Sequence, residues 1–247
     1  MLSCWLAILL TPLTSAAMTI AVDPGHGGVD HGATTGNYYE SHIAMGVSRQ
    51  LVELLNHDPE FKAFLTRTED KSMELPTRVA IAKKNKSDLF VSVHANSSPD
   101  PQSQGMEIYF RNELDPDQES LLLASQENQM LESTQTKKAS GDLQSILQDM
   151  RRSLSTLKSY ELSWHVVGNW KVPFSRIRNM PIKQGPFHVI KEQNVPAVLI
   201  EIGFITNEKE VRRLATASYQ KDIARTIYKG LKDYKETLDK DQTKALK

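Results

Sequence analysis

Two histidines and a glutamate stand out because each follows a run of residues suited to a buried β-strand. His26 sits in the turn Asp23-Pro-Gly-His-Gly-Gly28 just past residues 19–22, His94 closes the run 88–93, and Glu201 closes the run 197–200. In an open α/β sheet, sites form beyond the carboxyl ends of the strands. If the three strands run parallel, the three side chains converge on one edge. Two imidazoles and a carboxylate suit zinc, and a catalytic zinc usually keeps three protein ligands plus a water. Glu201 carries a constraint of its own. A carboxylate directly after Val198-Leu-Ile200 faces a desolvation cost of roughly several kcal/mol unless it meets a cation or a proton. A salt bridge satisfies it, and so does a neighbouring zinc-bound water. Gly25, Gly27 and Gly28 permit close backbone approach and positive φ around His26. They do not form a phosphate loop, since neither Gly-Lys-Ser/Thr nor Gly-x-Gly-x-x-Gly occurs. His31, His42, His57, His165 and His188 are read as polar surface residues.

The elements that must hold these side chains alternate. Strand-like runs at 19–22, 61–66, 88–93, 106–110 and 197–200 are separated by helical patterns. Ile43, Val47, Leu51, Leu54 and Leu55 make one apolar stripe at helical spacing. Pro76 fits the first turn of a second helix running through Val79 and Ala82 to the lysine cluster at 83–86. This rhythm predicts an α/β fold, three layers with a mostly parallel twisted central sheet between helices. Residues 112–165 differ in texture, being rich in Gln, Ser, Glu and Lys with no strand-like run. A helix over 119–131, a polar loop over 133–141, and a helix striped by Leu143, Ile146, Leu147, Met150, Leu154 and Leu157 make this segment a helical insertion rather than a second domain. Tyr219, Ile223, Ile227, Leu231, Tyr234 and Leu238 predict a long closing helix, with a polar, frayed tail after 240.

Charge and cysteine content narrow the classes. The 247 residues carry 30 Lys+Arg against 30 Asp+Glu, a net charge of zero, whereas nucleic-acid binders usually show a basic excess. The one cysteine, Cys4, lies in an uncharged opening stretch whose apolar run is shorter than the roughly 20 residues a membrane crossing needs. That stretch ends in Ser15-Ala16-Ala17, small residues where a signal peptidase would cut. Residues 1–17 therefore read as an export signal, giving a periplasmic or secreted protein with no stable membrane anchor after cleavage. The mature chain then has no cysteine, and any metal site must use His and carboxylates.

Together the motifs carry a resemblance. Ile20-Ala-Val-Asp-Pro-Gly-His-Gly-Gly28 followed by Tyr39-Glu40, then Val91-Ser-Val-His-Ala-Asn-Ser97, then Pro196-Ala-Val-Leu-Ile-Glu-Ile-Gly-Phe-Ile-Thr-Asn207, resemble in order the blocks of the zinc-dependent N-acetylmuramoyl-L-alanine amidases of bacterial cell walls. The resemblance covers about residues 19–240. It implies one zinc ion per chain held by His26, Glu40 and His94, with Glu201 as the catalytic glutamate. Glu40 owes its role to the resemblance alone, because a glutamate opening a helix is ordinarily a partner of the helix dipole. The implied substrate is peptidoglycan, cut at the amide between N-acetylmuramic acid and L-alanine. The insertion at 112–165 looks like the helical element that suppresses division amidases until a protein activator displaces it. Glu127, in Ser125-Gln-Glu-Asn128, resembles the glutamate that some of them lend to zinc. Such enzymes commonly carry an N-terminal wall-targeting domain, whereas here the catalytic block begins beside the expected cleavage site. The competing classes are a catalytically silent wall-binding module on the same fold, whose signature would be loss of Glu201 or a ligand, and another zinc peptidase or deacetylase. The latter lacks a motif here, since no His-Glu-x-x-His or Cys/His cluster occurs.

Overall fold

A computed structural model describes residues 16–111, 114, 116–130, 142–172, 175 and 177–245. Most of the leader (1–15), the polar loop (133–141) and the side chain of Leu143 lie outside the described residues. The main sheet has six strands in the order β4-β1-β5-β8-β6-β7. These are β1 (Met18–Pro24), β4 (Phe61–Leu65), β5 (Leu89–Asn96), β6 (Met106–Arg111), β7 (Ile177–Gly185) and β8 (Ala197–Phe204). A small antiparallel hairpin, β2 (Thr34–Thr35) with β3 (Tyr38–Tyr39), follows the first strand. β4, β1, β5 and β8 are mutually parallel. β6 runs antiparallel to β8, and β7 runs parallel to β6. β5 and β8 are buried along their whole length, as expected for strands covered on both faces, which read as continuous apolar runs.

Helices cover both faces. On one, α1 (Glu40–His57), α4 (Asp142–Gly168) and α7 (Ala217–Ala245) pack together over Ile20, Val22, Val91, Val93 and Ile200. On the other, α2 (Leu75–Lys84), α3 (Gln118–Glu127) and α5 (His188–Lys191) cover Ala21, Phe90, Tyr109 and Leu199. A short α6 (Glu208–Leu214) follows β8, capped by Asn207, whose side chain accepts from the backbone N–H groups of Lys209 and Glu210. The α/β sandwich with a mostly parallel sheet is thus the observed fold.

Four features depart from the sequence reading. β7 was not expected. α4 reaches beyond 165: Leu162 and Val166 join the main core while Ile146, Leu147, Met150, Leu154 and Leu157 face solvent. α3 ends at Glu127 and continues as one 3-10 turn, Asn128–Met130. Finally, α7 stays helical to Ala245 rather than fraying after 240.

Candidate metal centre

The turn after β1 places His26. Its carbonyls point inward, where two buried guanidinium groups receive them. Arg67 donates to the carbonyls of Pro24 (3.1 Å), Gly25 (2.7 Å) and Ser41 (3.0 Å). Arg78 donates to those of Pro24 (2.6 Å) and His26 (2.7 Å), and pairs with Asp23 at 3.0 Å. Asp23 also accepts from the hydroxyls of Thr66 and Ser92. His26 itself adopts φ +55°, a left-handed conformation uncommon for a residue with a Cβ, and this clamp holds it there.

The imidazoles of His26 and His94 stand edge to face with centroids 5.0 Å apart. Glu40, at the first turn of α1, lies between them. Its Oε2 is 3.3 Å from His26 Nε2, and its Oε1 is 2.9 Å from His94 Nδ1. The same carboxylate accepts from the backbone N–H of Ala33 (2.9 Å) and Ala95 (3.0 Å), so it cannot swing away without stranding both donors. Glu127, the last residue of α3, closes the group: its Oε2 is 3.1 Å from His26 Nε2 and 3.2 Å from His94 Nδ1. One donor atom from each of these four residues falls within 4.8 Å of the others.

These residues fit a divalent ion by three observations. Burial works against charging the rings, but Glu40, Asp30 and Glu127 outweigh it at His26, and Glu127 and Glu40 lift His94 to about 10. Burial opposes the charge on Glu40 and Glu127 too, yet the two rings hold both carboxyls below their usual range. The cluster thus balances two anions against two cations, a role one divalent ion with neutral imidazoles also fills. Next, His26 Nδ1 hydrogen-bonds Asp30 at 2.9 Å; with the proton on Nδ1, Nε2 is free to act as a donor atom, the usual arrangement of a metal-binding histidine. Lastly, Gly25 and Gly32 leave the rings room. A Cβ on Gly25 would fall 2.5 Å from His94 Cε1, and one on Gly32 2.5 Å from His26 Cδ2.

Glu201 lies beside this cluster, in register with His94 across β5 and β8. It is mid-strand rather than at the strand end expected from sequence, because β8 continues to Phe204. Only 1% of it is exposed, and neither carboxylate oxygen has a hydrogen-bond partner among the described residues. Of the two ways to satisfy Glu201 weighed from sequence, a salt bridge is absent among the described residues. Burial pushes its carboxyl well above the usual range; His94 opposes this, while Glu40, Glu127 and Glu107 add to it.

The sequence pattern brings His26, His94 and Glu201 to one place, and Glu40 and Glu127 join them. Asp30, Arg67, Arg78 and Asp23 were missed. Of these only Asp23, an acid inside an apolar run, left a readable signal. No role fell to His31, His42, His57, His165 or His188, and none of them belongs to the cluster, although His188 is buried rather than on the surface.

An α/β sandwich that gathers two imidazoles and two carboxylates around one point, with an unpartnered acid alongside, has the build of a metal-dependent hydrolase. Comparison with known proteins makes the class specific. The family model described as N-acetylmuramoyl-L-alanine amidase matches residues 20–233. The N-acetylmuramoyl-L-alanine amidase AmiA of Escherichia coli (strain K12) is 32% identical over 233 residues, covering 92% of this chain and 80% of that protein. A probable N-acetylmuramoyl-L-alanine amidase, AmiB of Haemophilus influenzae, is 30% identical over 229 residues, 88% of this chain but 52% of that relative, so the chain spans about half its length. The crystal structure of an N-acetylmuramoyl-L-alanine amidase from Clostridium difficile 630 superposes with a TM-score of 0.64 at 25% identity, over 90% of this chain and 98% of that one. The chain belongs to the N-acetylmuramoyl-L-alanine amidase family.

Proposed function

We propose that the protein is an exported N-acetylmuramoyl-L-alanine amidase that hydrolyses the amide between N-acetylmuramic acid and L-alanine in peptidoglycan, using one zinc ion held by His26, Glu40 and His94. The observation that carries this reading is Glu201, a buried acid without a hydrogen-bond partner among the described residues, in register with His94. Zinc, when bound, polarises the scissile carbonyl and acidifies a water. Glu201 takes a proton from the attacking water onto a carboxylate oxygen and returns it to the departing amine nitrogen. A raised carboxyl pKa suits both halves of that task near neutral pH. Asp30 fixes the orientation of His26, while Arg67 and Arg78 fix the turn that carries it.

On this reading the described form is closed: Glu127, 3.1 Å from His26 and 3.2 Å from His94, would take the ligand position that a catalytic zinc leaves to water, since a fourth protein ligand makes a zinc site structural rather than catalytic. Segment 112–165 is then a regulatory insertion, and α4 supplies the handle for its release. Leu147, Met150, Leu154 and Leu157 form an exposed apolar stripe at i, i+3, i+7 and i+10, with Ile146 beside it, the alternation of threes and fours that an activator's hydrophobic groove takes up. Such control suits a role in cell-wall remodelling or daughter-cell separation, while export rests on the uncharged apolar stretch 1–17 and its small-residue end. No helix among the described residues is long and apolar enough to cross a membrane.

The test is release of stem peptides from purified sacculi, combined with metal analysis. Glu201→Ala retains zinc and loses at least about a hundredfold in rate, the smaller end of what acid–base catalysis contributes. Glu127→Ala hydrolyses faster than the wild type. Undiminished turnover in Glu201→Ala defeats the catalytic assignment; unchanged turnover in Glu127→Ala defeats the closed-state assignment.

A further inference from the structure

Next to the metal cluster, the same sheet face carries a second set of charges. Glu107 on β6 pairs with Glu201 across β8 and is fully buried. Its Oε1 lies 2.9 Å from Arg178 Nε and 2.8 Å from Lys183 Nζ. Its Oε2 accepts from the Asn96 amide and the Tyr109 hydroxyl, each at 3.0 Å. Glu107 is therefore held by two ion pairs at one oxygen and two hydrogen bonds at the other. Yet both cations reach a second carboxylate, Glu119 in the first turn of α3: Lys183 Nζ at 2.8 Å and Arg178 Nη2 at 3.4 Å.

The two anions differ in how they are held. Glu107 is part of the sheet; Glu119 rides on α3, the helix that ends in Glu127, and its side chain is 52% exposed. With α3 in place the group is neutral. With α3 lifted away, two cations face one carboxylate, and a net positive charge opens on the cleft. The cations are set in position beforehand, the Arg178 guanidinium 5.1 Å from the Phe204 ring centroid and the Lys183 ammonium 5.9 Å from that of Tyr109. A largely buried ammonium stripped of a partner favours another anion.

Geometry says which anion. Glu201, Glu107 and the cations occupy neighbouring strands β8, β6 and β7. Strands lie about 4.8 Å apart, so Glu107, whose Oε1 both cations contact, stands one strand from Glu201, and the cations approach it from the strand beyond, about 5–10 Å from Glu201. An extended peptide covers that range in about two to three residues. We propose that Arg178 and Lys183 form the subsite for a carboxylate on the substrate's peptide, and that Glu119 occupies this subsite in the closed form. This inference rests on the amidase reading. On it, α3 imitates the substrate twice, with Glu127 at the imidazoles and Glu119 at the cations.

The test uses N-acetylmuramoyl tripeptides that begin with L-alanine and carry either glutamate or glutamine at the second position. The wild type prefers the glutamate substrate by about tenfold in kcat/KM, with the difference in KM. Lys183→Met brings the ratio of kcat/KM between the two substrates to about one. Equal losses on both substrates, or no preference in the wild type, overturn the proposal and leave Lys183 a structural ion-pair partner. A binding measurement separates this from failure of the amidase reading. The L-alanyl-glutamyl peptide alone, titrated calorimetrically, binds Glu119→Gln several-fold more tightly than the wild type, and Lys183→Met in that background removes the gain. Absence of that gain overturns the subsite even if neither muramoyl peptide is hydrolysed.

Discussion

Removing the Arg78 guanidinium tests whether the clamp, rather than the turn's own conformational preference, holds His26. In Arg78→Met the hydrocarbon stem is kept, while the pair with Asp23 and the bonds to the Pro24 and His26 carbonyls disappear. Both charged partners are almost wholly buried, Arg78 at 2% and Asp23 at 1% exposure. Breaking such a pair from one side costs about 3–5 kcal/mol, because the surviving charge stays buried. Thr66 and Ser92 still donate to Asp23, which places the expected loss at the lower end, about 3 kcal/mol. For a chain of this size that corresponds to a fall in Tm of about 6–12 °C. Thermal and urea unfolding followed by circular dichroism read it directly.

The same variant makes a second, separable claim. With the His26 carbonyl released, the left-handed φ at His26 loses its restraint, and zinc affinity falls by about tenfold or more, the usual scale for loss of an orienting partner. A double variant, Arg78→Met with Asp23→Leu, removes the stranded charge; its destabilisation is smaller than the sum of the single losses by about 1 kcal/mol or more. A Tm change under about 3 °C, with additive singles and unchanged zinc affinity, refutes the reasoning. The turn would then hold itself.

Three further outcomes follow from the geometry. Uptake of a divalent ion, zinc on the proposed reading, expels protons: Glu127 and Glu40 lift His94 to about 10 and His26 is raised too, so affinity climbs as pH rises from neutral toward 10. Calorimetry in buffers of differing ionisation enthalpy measures the release, and a buffer-independent heat contradicts it. Gly25→Ala drives a Cβ into the His94 ring and lowers zinc affinity by about ten- to a hundredfold while the far-UV spectrum is kept; an equilibrium dialysis showing wild-type affinity counts against the cradle. Asp58, held at about 2 against an ordinary 3.8 by Lys232 and Tyr228, contributes stability that is full above about pH 4 and is lost as pH falls toward 2. Asp58→Asn is therefore less stable than the wild type at pH 7 by about 1 kcal/mol, the pair being open on the Lys232 side; the two unfolding curves converge in acid, and a gap that persists at pH 2 is the contrary result.

The parts of this molecule that were legible in sequence are those where local pattern and global environment agree. β1, β5 and β8 read as strands because burial on both faces demands apolar side chains throughout, and a polar residue inside such a run is conspicuous. That is how His94 and Glu201 declared themselves. β7 was hidden for the opposite reason. As the outer strand of the sheet it carries Arg178, Asn179, Pro181 and Lys183, residues that protect an edge from pairing with another chain. Its register also slips between Met106 and Ile108 of β6, and Met180 takes φ +50°, so no alternation survives to be read.

The site itself was half legible, and the division has a physical basis. His26 and His94 are chemically unusual for where they stand, whereas Glu40 is at home in its local context, an acid opening a helix. Glu127 is the reverse case: a carboxylate ending α3 opposes the helix dipole, and the cost is offset by two imidazoles contributed from elsewhere in the chain. The misfit is visible in sequence only once the helix end is known, and the 3-10 turn that follows conceals that end. Asn128 completes the arrangement. Its side chain donates to the Pro186 carbonyl at 3.0 Å and accepts from the His188 N–H at 2.8 Å, fastening the end of α3 to the loop before α5. An acid placed against its own helix dipole and then tied down by the next residue is costly to keep unless it meets positive charge, which the imidazoles supply when protonated and a bound metal ion would supply in their place. The placement of α3 is therefore coupled to the imidazoles that Glu127 meets, and displacing the helix would break both that contact and the Asn128 latch.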